Sequence, residues 1–282
     1  MNQFFFLNGK IIPDSDAYIS SADRGFLYGD GIYETLRSYN GKPFKLSDHL
    51  ERMRHSAKQL RISFSYTNEN IGEWINELIE LNCSQDAYIR ITLSRGTGGG
   101  RLQMDDNIEP TTMIQVKPFT PYDSKLYDEG MSLVVSNSKR STTCPISSHK
   151  STNLLKSILL KEEAKKRSAL ESIIINTDEH VAECVVSNIF FVNNGKAVTP
   201  SLDTNILPGI TRRTVLDICK ESSIPTSEER FKVEALLNAE EVFITNSLME
   251  IMPVSKIENY KIGETIPGKI TQRLINAYKH FV

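Results

Sequence analysis

Lys150 and Glu183 are two residues whose types could do chemistry in their settings. Lys150 lies between a polar loop and an expected helix start. A lysine beside free helix N–H groups meets the positive end of the helix dipole, which lowers its pKa and favours the neutral amine that Schiff-base chemistry requires. The same position suits an ordinary solvated lysine. Glu183 stands in the apolar run Val181-Ala182-Glu183-Cys184-Val185-Val186, so its carboxylate is either paired or at a strand edge. Three further segments are suited to an anion. The loop GTGGGR offers backbone N–H groups with Arg95 or Arg101, without P-loop spacing. Pro208-Gly209-Ile210-Thr211-Arg212-Arg213 enters a helix, where free N–H groups and a threonine hydroxyl meet. Thr245-Asn246-Ser247 follows a strand. Each has a plain structural alternative: a mobile loop, a helix start with solvated arginines, a strand-end turn.

The elements that must position these residues follow from turn chemistry and periodicity. Asn8-Gly9, Asn40-Gly41 and Asn194-Gly195 mark two-residue hairpins. Ser47 to Leu60 reads as a helix capped by Ser47, with Leu50, Met53, Ala57 and Leu60 on one face. A second amphipathic helix spans 71–81. Ser151 or Thr152 can cap a third, running to about Arg167, with Leu154, Leu155, Ile158, Leu159 and Ala164 inward. Shorter helices are expected from 209 to 220 and from 234 to 238, and a closing one from 270 to 281. Strands are expected at 88–93, 111–116, 131–135, 173–175, 185–192 and 242–245. Mixed strands and helices with frequent hairpins predict an α+β (mixed α/β) fold in two domains. Residues 1–117 form the smaller, 118–125 (within PFTPYDS and its end) the linker, and 126–282 the larger.

Bulk properties exclude several classes. With 33 basic and 35 acidic side chains in 282 residues, the net charge of −2 gives no global attraction to nucleic acid or an anionic membrane. Cys83, Cys144, Cys184 and Cys219 form no C-x-x-C pair, which argues against a zinc site and for reduced thiols in a cytoplasm. The apolar start Phe4 to Leu7 is too short for a signal segment, and no stretch approaches the ~20 apolar residues of a membrane helix.

In chain order, these segments resemble the fold-type IV pyridoxal-phosphate enzymes. That group comprises the class IV aminotransferases, branched-chain and D-amino acid types, and their relative aminodeoxychorismate lyase. The resemblance is carried by HKSTNLLKSILLKEEAKKRSALESIIINTDEHVAECVVSNIFFV, by TPSLDTNILPGITRR and ITNSLMEIMPV, and upstream by DRGFLYGDGIYETLR and HLERMRHSAKQL. It implies pyridoxal 5'-phosphate between two domains, with protons handled on its re face. It also implies a homodimer whose N-terminal loops close the neighbouring site. Lys150 matches the Schiff-base lysine and proton shuttle, and Glu183 the carboxylate at the pyridine nitrogen. Arg52 matches the phosphate arginine. Ile210, Thr211 and Ser247, with Asn246 beside it, match the other phosphate donors, and Leu207 packs on the ring. Substrate contacts are implied for Tyr28, Tyr33, Thr35, Arg37, Tyr88, Arg90, Arg101 and Leu248.

Subgroup signals diverge. Asp86-Ala87-Tyr88-Ile89-Arg90 looks like the branched-chain pattern, but Thr35 replaces its glycine, and Leu154 and Leu155 stand where a tyrosine is usual. KSTNLL, DRG and GDGIYE look like the D-amino acid group, yet no histidine follows Arg101 in RLQM. Asn246, Thr35 and VAECVVSN fit the lyase. The resemblance implies an aminotransferase acting on a small amino acid and a 2-keto acid. The lyase, which releases pyruvate to make 4-aminobenzoate, is the alternative.

Overall fold

The computed structural model describes residues 3–82, 86–104 and 107–282. The chain is α+β, with two sheets, as the mixed pattern predicts. It divides into two units: Met1–Thr120 with His149–Leu154, and Pro121–Ser148 with Leu155–Val282. The sequence division leaves 149–154 with the C-terminal part. In the structure this segment, which carries Lys150, belongs to the N-terminal unit.

The first unit runs β1 (Phe4–Leu7), β2 (Lys10–Pro13), α1 (Arg24–Tyr28), β3 (Gly31–Tyr39), β4 (Lys42–Pro43), α2 (Leu46–Gln59), α3 (Asn68–Asn82), β5 (Ala87–Ser94) and β6 (Thr111–Pro118). The strands form an antiparallel sheet in the order β2-β1-β6-β5-β3-β4. Asn8-Gly9 and Asn40-Gly41 close its hairpins with positive φ at both turn residues, the geometry that matches strand twist. One face of the sheet packs Ile32, Leu36, Ile89, Ile91 and Leu93 against Leu50, Met53 and Ala57 of α2 and Ile71, Ile75 and Leu78 of α3. Thr67 and Asn70 cap α3 reciprocally, each side chain accepting the other's backbone N–H. Ser47 does not cap α2. Lys45, in the left-handed region at φ 54°, delivers the chain directly into the helix, so Ser47 falls inside the first turn.

The second unit contains α4 (Lys125–Glu129), β7 (Met131–Val135), α5 (Leu155–Lys166), β8 (Glu171–Ile175), β9 (Val181–Cys184), β10 (Asn188–Asn193), β11 (Lys196–Pro200), α6 (Ile210–Glu221), β12 (Thr226–Glu229), α7 (Val233–Leu237), β13 (Glu241–Asn246), β14 (Glu250–Ile257), β15 (Tyr260–Lys261) and α8 (Lys269–Tyr278). Its sheet order is β12-β11-β10-β13-β14-β7-β8-β9, with β15 beside β14. Three expectations fail here. The run expected as one strand over 185–192 breaks at Val185–Ser187, leaving Glu183 on β9 and Asn188 on β10. Residues 151–152 do not cap α5, because they pair with β3 instead, and the helix begins at Leu155. Its buried side is Leu160 and Ala164, while Leu155, Ile158 and Leu159 are 67%, 61% and 62% exposed.

Among the described residues, Cys144, Cys184 and Cys219 are free thiols; Cys83 lies outside them. No helix of the described residues is long and apolar enough to cross a membrane.

Candidate active site

Strand alternation on β3 separates two sets of side chains. Ile32, Glu34 and Leu36 face the helices, and Tyr33, Thr35 and Arg37 take the other face. Across the ladder, Tyr33 opposes Thr92, Thr35 opposes Arg90, and Arg37 opposes Tyr88. Residues 150–152 run alongside the start of β3. Tyr33 N–H donates to the Lys150 carbonyl at 2.8 Å, Thr152 N–H donates to the Gly31 carbonyl at 2.9 Å, and Ser151 bridges to Ile32. Lys150 is therefore held by a strand pairing, and the helix dipole invoked from its sequence setting is not at its side. Its Nζ lies 4.6 Å from the centre of the Tyr33 ring, and the Arg90 guanidinium lies 3.9 Å from the same ring. Arg90 Nε also donates to Thr92 Oγ1 at 3.3 Å. An amine and a guanidinium thus share one aromatic platform on the half-buried face of a rigid sheet.

Behind Tyr33, on the opposite face, Glu34 is buried and gripped from α2. Arg52 donates to it twice, at 2.8 and 2.6 Å, and His49 Nδ1 meets it at 2.7 Å. His49 and Arg52 are three residues apart, so they project from one side of the helix. Burial pushes the Glu34 carboxyl up, but the Arg52 charge and the hydrogen bonds from His49 and Arg52 outweigh it and hold the group at about 2. Burial pushes the His49 imidazole down; Glu34 opposes this, while the charges of Arg52 and Lys150 add to it. A neutral imidazole facing a carboxylate must carry its proton on Nδ1 and donate it.

In the second unit, donors converge on Glu183. Arg140 Nη1 reaches Oε1 at 2.6 Å, while Asn188 Nδ2 and the Leu207 N–H reach Oε2 at 3.2 and 3.1 Å. Asn188 Nδ2 also donates to the Leu207 carbonyl at 3.0 Å, tying β10 to the segment before α6. Gly209 precedes that helix with no side-chain cap, so the first-turn N–H groups of Ile210 and Thr211 have no intrahelical acceptor. A Cβ on Gly209 would stand 1.9 Å from Asn188 Oδ1, so a larger residue cannot bring the helix start this close to Glu183's neighbour. Asn246 Oδ1 accepts the N–H groups of Leu248 and Met249, both at 2.9 Å, and its Nδ2 donates to the Val186 carbonyl at 3.2 Å. Asn246 therefore shapes the turn bearing Ser247 and Leu248 and tethers it to the turn after β9.

Within the first unit the structure brings together Lys150, Tyr33, Thr35 and Arg90, with Arg52 held on Glu34. Within the second it gathers Glu183 and Leu207 beside the entry to Ile210 and Thr211. Arg37 is engaged elsewhere: it pairs with Asp86 at 2.9 Å and stacks on Tyr39 and Phe119. Tyr88 receives Lys117, and Tyr28 lies under Arg24. Arg95 is buried and paired with Asp30, whereas Arg101 is exposed, so Arg101 is the candidate anion ligand of the GTGGGR loop. Sequence reasoning passed over Arg140, Asn188, Glu34 and His49. The i, i+3 spacing of His49 and Arg52 was the one signal available; nothing local distinguishes Arg140.

These groups suit pyridoxal 5'-phosphate. The first unit supplies a primary amine beside an aromatic ring; the second, taken by itself, supplies a carboxylate held as an acceptor by three donors and an uncapped helix start suited to a phosphate. Buried Thr245 Oγ1, next to the Asn246 turn, has no hydrogen-bond partner among the described residues and adds a hydroxyl to this set.

Comparison with known proteins agrees. A family model described as "Amino-transferase class IV" matches residues 31–257. The chain is 34% identical over 276 residues to the aminodeoxychorismate lyase of Bacillus subtilis (strain 168), covering 97% of this chain and 93% of that protein. It is likewise 34% identical over 279 residues to the D-alanine aminotransferase of Staphylococcus haemolyticus, covering 98% and 97%. A crystal structure of the T.th. branched-chain amino acid aminotransferase with pyridoxamine 5'-phosphate superposes at a TM-score of 0.93. Its sequence identity is 27%, and the match covers 99% of this chain and 94% of that one.

Proposed function

Because the chain belongs to the class IV aminotransferase family, whose members use pyridoxal 5'-phosphate, we propose that it transfers the amino group of a small amino acid to a 2-keto acid. The observation that carries this reading is the shared platform of Lys150, Tyr33 and Arg90. It sets a fixed cation for an α-carboxylate beside the amine that handles the α-proton. When bound, the cofactor supplies a carbonyl that takes up the amino group and a ring that accepts the electrons left when the α-proton departs.

The protein's part follows from its own residues. Lys150 Nζ moves the proton to and from the substrate's α-carbon. Arg90 orients the α-carboxylate, the exposed Arg101 is a second carboxylate-binding cation, and Thr35 beside Arg90 sets how much room the side chain has. Glu183 holds a proton at the ring nitrogen, and the donors around it keep it turned to that task. As the family resemblance implies, Arg52, the start of α6 and Ser247 would each donate to the phosphate, and Glu34 and His49 fix the Arg52 guanidinium. The exposed apolar faces of α1 (Phe26, 77%) and α5 (Ile158, 61%) support assembly with a second copy of this chain. A single 31.9-kDa species in sedimentation would remove that part.

A second reading is aminodeoxychorismate lyase, which is favoured by Asn246 at the substrate-side turn and by Thr35. A half-reaction screen separates the two. L-Leucine, L-glutamate, D-alanine, D-glutamate and aminodeoxychorismate are mixed in turn with the holoenzyme. Conversion of the cofactor to its pyridoxamine form by one amino acid is the expected outcome and reports the hand preferred. Pyruvate release from aminodeoxychorismate, with no keto-acid acceptor, would establish the lyase. A Lys150→Ala variant retaining turnover would overturn both.

A further inference from the structure

Arg24 sits at the start of α1, far in sequence from the GTGGGR loop, and its side chain is 5% exposed. Its Nε donates to Asp30 Oδ2 at 2.8 Å. The other end of the guanidinium reaches the loop's backbone: Nη1 donates to the carbonyls of Arg101 and Gln103, and Nη2 donates to that of Leu102 at 3.2 Å. One buried cation therefore receives three successive carbonyls.

Among the described residues, little else fixes the loop. Residues 99–104 are all exposed, so burial of their side chains cannot determine the path. Its stem, by contrast, is tightly built. Gly96, at φ +98°, approaches Glu109 so closely that a Cβ would stand 1.8 Å from the Glu109 carbonyl oxygen, and the backbone of Arg24 donates to the Gly96 carbonyl at 2.9 Å. Asp30 is held in turn by Arg95, whose guanidinium also bonds the carbonyls of Leu60 and Arg61 at the end of α2. The anchor of the loop is thus referred to the rigid body of the sheet and α2, and only its tip depends on Arg24.

We propose that Arg24 is a positioning residue for substrate recognition. By fixing the carbonyls of residues 101–103, it sets where Arg101 presents its guanidinium to a substrate carboxylate. The proposal rests on the reading of Arg101 as a carboxylate-binding residue. A planar fork is required, because a lysine presents a point charge and cannot span Asp30 and three carbonyls. The consequence is specific: loss of the fork weakens carboxylate binding and leaves the chemical step intact, because neither Lys150 nor Glu183 is touched.

The test is a single-turnover titration of the holoenzyme, charged with pyridoxamine phosphate, by 2-oxoglutarate. Cofactor absorbance then separates the apparent Kd from the limiting rate. Arg24→Gln is expected to raise Kd about 10-fold, the size expected for hydrogen bonds to a charged group, with the limiting rate within about 2-fold. In an Arg101→Ala background the same substitution is expected to change Kd by less than about 2-fold. In parallel, limited trypsin digestion is expected to cut Arg101–Leu102 several-fold faster in Arg24→Gln. Arg24→Lys carries the same test if the glutamine variant does not fold. A full-size Arg24 effect in the Arg101→Ala background, or an unchanged rate of cutting, overturns the proposal with the reading of Arg101 intact. A normal Kd for Arg101→Ala alone overturns it through that reading.

Discussion

The two units hold their polar groups by opposite means. In the first unit the candidate groups are side chains on regular elements. Tyr33, Thr35 and Arg90 line one sheet face, Glu34 turns to the other, and His49 and Arg52 reach it from one side of α2. In the second unit much of the hydrogen bonding around the candidate groups is done by main chain. Leu207 N–H holds Glu183, the start of α6 is left open, and Asn246 organises the N–H groups of its own turn. The first arrangement depends on charge pairing, the second on close approach of backbone. Substitutions should therefore fail differently: by unbalanced charge in one unit and by steric exclusion in the other.

The largest effect is expected where charge is most deeply buried. Glu34→Gln leaves the Arg52 cation without its carboxylate and should cost about 3–5 kcal/mol in chemical denaturation. The pH dependence supplies a sharper form. The Glu34 carboxyl is held at about 2 against an ordinary 4.5, so its contribution is complete above pH 4.5 and is lost as pH falls toward 2. That contribution, about 3 kcal/mol, should vanish from the variant's stability profile. Parallel acid-unfolding curves for the two proteins would show that charge pairing is not what holds this unit.

Glu183→Gln is expected to keep the cofactor but slow the proton-transfer half-reaction by about 10²-fold. An unchanged rate would remove Glu183 from the chemistry. The smallest effect concerns the main-chain side of the comparison. Gly209→Ala forces a methyl toward Asn188 Oδ1 and should destabilise by about 1–3 kcal/mol. Its cofactor dissociation constant, measured by dialysis, should rise while the Glu34 acid profile stays as in the parent. A tightly bound cofactor in this variant would show that the entry to α6 has slack.

The same contrast explains how much was legible in the sequence. Three Asn-Gly hairpins and the inward faces of α2 and α3 were readable because local turn chemistry and 3.6-residue periodicity decide them. Lys150 stands out by its order relative to Glu183 and the anion turns, whereas the helix-start setting expected for it is replaced by a strand pairing. The strand pairing of 150–152 with β3 is a long-range event that overrides the capping propensity of Ser151 and Thr152. The inward placement expected for Leu155, Ile158 and Leu159 fails because periodicity reports that a stripe is apolar, not what covers it. Arg140 and Arg24 were missed for the same reason. A guanidinium gains its role from carbonyls and carboxylates distant in the chain.

The excursion of residues 149–154 into the first unit has a practical bearing on how the molecule can be divided. A gene fragment ending at Thr120 would encode a sheet whose β3 has lost the neighbour that accepts the Tyr33 N–H and donates to the Gly31 carbonyl. The complementary fragment would carry Lys150 on a stretch of chain with no strand to lie against. Neither piece is a module in the sense of recombination. A functional split would need the cut placed elsewhere, or the 149–154 segment supplied in trans as a peptide.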